Sequence, residues 1–275
     1  MTTAQFERLR DTLARYPNRI VACSGGVDSM LLADVAVSLA PDSTIVAHSV
    51  SPAVPAAATE RVGRVATELG WRLELVRSAE FDDQRYLDNP VDRCYFCKIN
   101  LYDELDRLAA GLRHLGNWVL MSGANAEDLG EYRPGLRAAA EHGVRHPYVE
   151  ANFSKADIRR LTRGRGRAWH DLAAAPCLAS RLYTGTPVTP SILRAIEHGE
   201  EALRQRTGLM VVRCRVRGTE VLVEVPEKHR YLVDGGALTQ ITGAVRRYAP
   251  ELQPARLDHA AYAPGRAFVR LERKN

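Results

Sequence analysis

The chain has no apolar run of membrane-spanning length, and residues 1–8 carry no apolar h-region, so neither an anchor nor a secretory leader is expected and the cytoplasm follows. Repeats and low-complexity segments are absent from its 275 residues. That length suits one large domain or two modest ones with a substantial core. Cysteines are few and odd in number: Cys23, Cys94, Cys97, Cys177 and Cys214. Without a leader, five thiols argue against a disulfide framework and for catalytic, metal-bound or buried roles. The net charge is only +5, with 26% charged and 45% apolar residues, which is ordinary for a soluble globular protein. That balance favours phosphate-bearing ligands without establishing nucleic-acid binding.

The most informative stretch present is Val21-Ala22-Cys23-Ser24-Gly25-Gly26-Val27-Asp28-Ser29. An apolar lead-in, paired glycines and an apolar helical pattern from Met30 predict a strand, a tight turn and a helix N-terminus. Glycines let successive N–H groups point into one concavity, and the helix dipole adds positive potential there. Ser24 and Ser29 add hydroxyls. The expected ligand is a phosphate chain. No lysine follows the glycines, which excludes the G-x-x-x-x-G-K-[ST] loop of γ-phosphoryl transfer.

Around this stretch, the spacing predicts helices over residues 3–15, 29–39 and 60–69 and strands over 20–22, 44–50 and 71–76. This β-α-β-α-β rhythm indicates a doubly wound parallel α/β sheet. Ser49 closes the second strand at the end where nucleotides bind in such sheets. A fourth strand over 118–121 runs into a long polar loop, Ser122 to Gly135, which is a site candidate on topological grounds. Ser154 to Asp157 reads as a capping box opening a helix to about Thr162. The basic run Arg163-Gly164-Arg165-Gly166-Arg167 then reads as a helix C-terminus or a nucleic-acid patch. Beyond a Pro/Thr/Gly-rich join, short strands over 210–216 and 221–225, helices over 191–206 and 238–248 and a last strand over 267–271 predict a smaller α+β domain. The expected division is 1–183 and 190–275.

The hexapeptide S-G-G-x-D-S resembles the PP-loop of the ATP pyrophosphatases, with their adenine nucleotide alpha hydrolase-like fold. Four further segments sharpen the resemblance: Asp92-Arg93-Cys94-Tyr95-Phe96-Cys97-Lys98, the Asn125–Gly135 loop, Pro176-Cys177-Leu178-Ala179-Ser180-Arg181, and Arg213-Cys214-Arg215. In this order they resemble the LarE family of ATP-dependent sulfur transferases over about residues 20–224. The resemblance implies adenylation of a carboxylate of a pyridinium mononucleotide with release of pyrophosphate. Sulfur insertion then gives a thiocarboxylate, in nickel-pincer cofactor biosynthesis for lactate racemase. ATP and magnesium are the implied partners of the loop, together with a small-molecule nucleotide substrate. A homo-oligomer is expected; a membrane and nucleic acid are not.

By the same resemblance Cys177 is the sulfur-bearing residue. Ser24, Gly25, Gly26, Asp28, Ser29, Ser49, Arg133 and Arg181 would surround ATP and its pyrophosphate. Asp28 would also cap the helix and orient the loop, Glu201 would lie near the reaction, and Arg213 and Arg215 would take the substrate phosphate. Asp128 is the choice for magnesium, with a solvated loop carboxylate as the alternative. Cys94, Cys97 and Cys177 match members with a [4Fe–4S] cluster, and thiolates are its natural ligands. A sacrificial Cys177 that becomes dehydroalanine stays open, as do a zinc site completed by His170, a redox pair and purely structural thiols. Cys23 and Cys214 read as packing residues. The chain departs from the family pattern at Arg217, Leu222 and Glu127. A PP-loop tRNA sulfur transferase is the alternative function, and a nucleotide-binding module without turnover a third reading.

Overall fold

In the computed structural model, residues 3–130 and 134–269 are described. The chain divides into two compact units. The first comprises Met1–Asp82 and Cys94–Ala174, the second Asp83–Arg93 and Ala175–Asn275.

The first unit opens with α1 (Thr3–Ala14), β1 (Asn18–Ala22), α2 (Val27–Leu39), β2 (Thr44–Ser49), α3 (Ala56–Leu69) and β3 (Leu73–Val76). After α4 (Gln84–Leu87) of the second unit come α5 (Arg93–Gly111), β4 (Trp118–Ser122), α6 (Pro134–Glu141), α7 (Pro147–Glu150) and α8 (Lys155–Gly164). Strands β3-β2-β1-β4 form one parallel sheet in that order. Alternation along the strands feeds two cores. Val21, Val46 and Met121 pack with α1, α2, α3 and α8, whereas Ile20, Ile45 and Leu120 pack with α5 and α6. The expected doubly wound α/β sheet is therefore present. Its order reverses beside β1, so the loops after β1 and β4 leave from the crevice where ligands bind in such sheets.

Helix α2 is buried over most of its length, and Asp34 is the buried charge within it. Arg165 Nε and Arg167 Nε meet Asp34 Oδ2 at 2.7 and 2.9 Å, and Arg167 Nη2 meets Oδ1 at 2.8 Å. Two arginines of the basic run are thus internal partners of a buried carboxylate rather than a nucleic-acid patch. The capping box of α8 is formed as expected between Ser154 and Asp157.

The second unit holds α9 (Pro190–Thr207), β5 (Arg213–Arg217), β6 (Glu220–Glu224), α10 (Gly235–Arg246) and β7 (Arg256–Leu257). Strands β5 and β6 pair antiparallel, and β7 adds parallel to β6. Among the described residues the last strand is therefore β7; residues 267–269 of the expected strand lie outside any strand, and residues 270 and 271 lie outside the described residues. Ala267 O accepts from the N–H and hydroxyl of Thr184, and the Val269 N–H donates to Thr184 Oγ1, so one threonine rather than a strand partner holds the segment. Among the described residues, no helix is long and apolar enough to cross a membrane.

Candidate active site

The loop after β1 owes its shape to its glycines. Gly25 has φ +79°, and a Cβ there would lie 3.1–3.2 Å from Ala58 and Val62 of α3, so a side chain would meet both backbone strain and a packed neighbour. Gly26 is the N-cap of α2 in extended conformation, and the first helical hydrogen bond is Met30 N–H to Gly26 O at 3.0 Å. The N–H groups of Val27, Asp28 and Ser29 precede that ladder, the arrangement that favours an anion. Ser29 is buried and closes the loop: its Oγ accepts from Ser24 N–H at 3.1 Å and donates to Gly26 O at 3.2 Å. Ser24 is exposed, its Oγ 3.2 Å from that of Ser29. Ser49 ends β2 and shares a 2.8 Å hydrogen bond with Ser78.

The loop after β4 reaches the same helix start. A Cβ on Gly123 would sit 2.9 Å from Ser29 N, so only glycine allows this approach. Asn125, fully buried, donates its side-chain N–H to Asp28 Oδ2 at 3.0 Å and its main-chain N–H to Asp128 Oδ2 at 3.1 Å. Contrary to the expectation from sequence, Asp28 does not cap α2; its side chain turns to the second loop instead. Burial pushes its carboxyl up, opposed by the Asn125 hydrogen bond and reinforced by the Asp128 charge. Lys155 Nζ lies 3.2 Å from Asp128 Oδ1. Two carboxylates near a helix N-terminus provide the hard oxygen donors that magnesium takes. Gly123 and Asn125 lie in the loop expected as a site candidate and Lys155 in the capping segment, but none of the three had an individual role from sequence, because those roles depend on the approach of two loops. Arg133 lies outside the described residues.

Cys94 and Cys97 are half-buried, one turn apart on α5. Cys177 is half-buried in the second unit, at the start of the short turn Leu178–Arg181. No cysteine is in a disulfide. Thiols suit iron–sulfur ligation, and among the described residues no group of three or more His, Cys, Asp or Glu side chains forms a metal site. Cys23 and Cys214 are buried; burial pushes the Cys23 thiol up to about 11 and Cys214 higher still, as suits packing residues.

In the second unit, Arg181 is 2% exposed. Its Nε and Nη2 meet Glu200 Oε1 and Oε2 at 2.9 and 3.0 Å, and its Nη1 donates to the carbonyls of Pro176 and Cys177. The fork is taken up by these groups, so Arg181 straps the Cys177 turn to α9 rather than presenting itself to pyrophosphate. Glu200 also accepts from Arg204 and from Cys214 N–H. Glu201, expected near the reaction, is exposed and accepts a hydrogen bond from Gln205. The buried carboxylate of α9 is its neighbour, because a one-residue step turns a helical side chain by about 100°.

Arg213 and Arg215 share one face of β5, as their spacing predicts, and that face is buried. Arg215 donates to Glu224 Oε2 at 2.7 Å, to Ser180 O and to Ala263 O. Arg213 donates to Val212 O and lies 5.1 Å from the Tyr262 ring centroid. Burial and the neighbouring Arg181 charge depress its pKa. Of the two, Arg213 has no carboxylate partner among the described residues, which leaves it the better placed for an anion. Of the departures, Arg217 stacks on Tyr183 and Leu222 is core.

No family model matches the chain. A Synechocystis protein described as uncharacterized is 36% identical over 226 residues, which cover 82% of this chain and 83% of that one. The pyridinium-3,5-bisthiocarboxylic acid mononucleotide synthase of Lactiplantibacillus plantarum is 29% identical over 208 residues, 75% of this chain and 74% of the synthase. An uncharacterized protein of Methanocaldococcus jannaschii is 26% identical over 188 residues.

Proposed function

We propose that this chain, which is 29% identical to the Lactiplantibacillus plantarum synthase, belongs to the LarE family and is an ATP-dependent sulfur transferase making a thiocarboxylate on a pyridinium mononucleotide. The observation that carries the reading is the loop after β1: a positive-φ glycine, an N-cap glycine and open helix N–H groups, with the Asp28 carboxylate of α2 joined through Asn125 to Asp128 of the loop after β4. Such a nest holds the pyrophosphate end of ATP and leaves the α-phosphorus open to attack. Magnesium supplies charge neutralisation there, with Asp28 and Asp128 as its oxygen donors.

A carboxylate oxygen of the substrate attacks the α-phosphorus, the bond to the β-phosphate oxygen breaks, and pyrophosphate leaves. The acyl adenylate is then open to the Cys177 sulfur, which forms the C–S bond as AMP departs. Loss of the Cys177 α-proton and cleavage of its Cβ–S bond give the thiocarboxylate and dehydroalanine, which limits this route to one turnover. The alternative is a [4Fe–4S] cluster on Cys94, Cys97 and Cys177, which when bound would supply sulfur repeatedly. Arg213 neutralises the substrate phosphate. The product would serve a nickel-pincer cofactor of the lactate racemase type, and the protein would work as a homo-oligomer in the cytoplasm.

The test supplies ATP, magnesium and the pyridinium dicarboxylate mononucleotide to wild type and Cys177→Ala. Both should release pyrophosphate, and wild type alone should form thiocarboxylate. Full thiocarboxylate formation by Cys177→Ala would sink the assignment.

A further inference from the structure

The phosphate loop lacks the lysine that other phosphate-binding loops carry, yet the fold brings a different cation to it. Arg61, on α3, donates from Nη1 to Gly25 O at 2.7 Å. We propose that Arg61 is a phosphate-binding residue of this site, holding the loop through Gly25 and presenting its remaining N–H groups to the pyrophosphate end of the nucleotide. The proposal rests on the nucleotide reading above.

Three observations carry it. First, Arg61 is held in place, because α3 grips the loop at several points. Ala58 and Val62 pack where a Gly25 Cβ would stand, and His48 bridges Cys23 O at 2.8 Å to Thr59 Oγ1 at 2.9 Å. A guanidinium anchored at one nitrogen between such contacts is pre-organised, so little freedom is lost when an anion arrives.

Second, the charge is uncompensated. Arg61 is half-buried, and no carboxylate pairs with it among the described residues. Its titratable neighbours are the Arg64 guanidinium and the Cys23 thiol, and burial depresses its pKa. Elsewhere in this unit Arg165 and Arg167 pair with Asp34, and the buried Arg19 spends its donors on the carbonyls of Leu13, Tyr16 and Ala36, whereas Arg61 gives a hydrogen bond to Gly25 O. Removing a guanidinium from water without a counter-ion is unfavourable, and a bound phosphate chain would reverse that cost.

Third, a fork has donors to share. One of the five N–H groups of a guanidinium satisfies Gly25 O, and a planar fork suits the oxygens of a phosphate bidentately. Glycine at position 25 has no side chain to stand between the two.

The experiment measures binding of inorganic pyrophosphate with magnesium by calorimetry to wild type, Arg61→Met and Arg61→Lys. Thermal unfolding without ligand is recorded for each. Wild type should bind, Arg61→Met should lose affinity about tenfold or more, and Arg61→Lys should recover part of it. Unliganded unfolding should move little. In turnover, the KM for ATP should rise for Arg61→Met while the KM for the carboxylate substrate stays put. Equal affinity in wild type and Arg61→Met would overturn the role of Arg61 and leave the nucleotide site standing. Failure of wild type to bind either pyrophosphate or ATP would overturn both. Should Arg61→Met not fold, Arg61→Gln keeps a donor for Gly25 O without the charge, and wild-type affinity in that variant overturns the proposal.

Discussion

Arg181 and Glu200 form a two-pronged ion pair inside the second unit, 3% and 1% exposed at their side chains. Through it the turn that carries Cys177 is tied to α9. Glu200→Ala would leave Arg181 buried and unmatched, which costs about 3–5 kcal/mol in comparable cases. Thermal unfolding should show that loss. Glu201→Ala, on the exposed flank of the same helix, should change stability by less than about 0.5 kcal/mol. Equal effects of the two substitutions would show that the ion pair is not what fixes the turn.

Asp34 gives a pH dependence with a definite sign. Burial alone would raise its carboxyl, but the Arg165 and Arg167 guanidiniums hold it below its ordinary 3.8. A depressed folded pKa contributes stability at pH above the ordinary value, and that contribution fades as pH falls through the folded one. Denaturant unfolding of wild type should therefore weaken below about pH 4, while Asp34→Asn should start less stable and lack this component. The same pairing bears on nucleic acid. With two arginines of the run engaged internally, wild type should show no salt-dependent retention of tRNA; retention at low salt would favour a tRNA sulfur transferase.

How much of this was legible in the sequence follows the range of the interactions. The parallel sheet, the glycine turn between β1 and α2 and the Ser154 capping box are local patterns, readable from glycine placement and period. The pairing of Arg165 and Arg167 with Asp34 spans more than a hundred residues and left no local trace, so the run read as a surface feature. Glu200 and Glu201 are adjacent acids, and which of them faces inward depends on how α9 packs. Asp28 had the type and place of a helix-start residue, but Asn125 from another loop took its carboxylate. Arg61 was one more arginine on a helix until α3 met Gly25.

The Asp28–Asn125–Asp128 arrangement predicts how activity responds to acid. Burial and the Asp128 charge raise the Asp28 carboxyl above its ordinary 3.8, so it takes up a proton at higher pH than an exposed aspartate. Pyrophosphate release should fall as pH drops through that range. Asp128→Asn keeps an acceptor for Asn125 N–H but removes the like charge, so the acid limb should move to lower pH. The same change should weaken apparent magnesium affinity about tenfold or more. An unchanged magnesium requirement would remove Asp128 from the metal site.

The fate of Cys177 divides two chemistries that use the same residue. If Cys94, Cys97 and Cys177 hold a cluster, anaerobic reconstitution should give about four iron atoms and as many sulfides per chain, lost in Cys94→Ala. Turnover should then continue beyond one product per chain. If Cys177 is consumed, wild type holds no iron and makes one product per chain. Its Cys177 peptide then loses the mass of hydrogen sulfide. Cys94→Ala separates the two further, because it abolishes repeated turnover in the first case and leaves the single turnover intact in the second. Both outcomes require Cys177, since its sulfur is either the cluster's ligand or the atom transferred. Product formation in Cys177→Ala is therefore the result that neither chemistry survives.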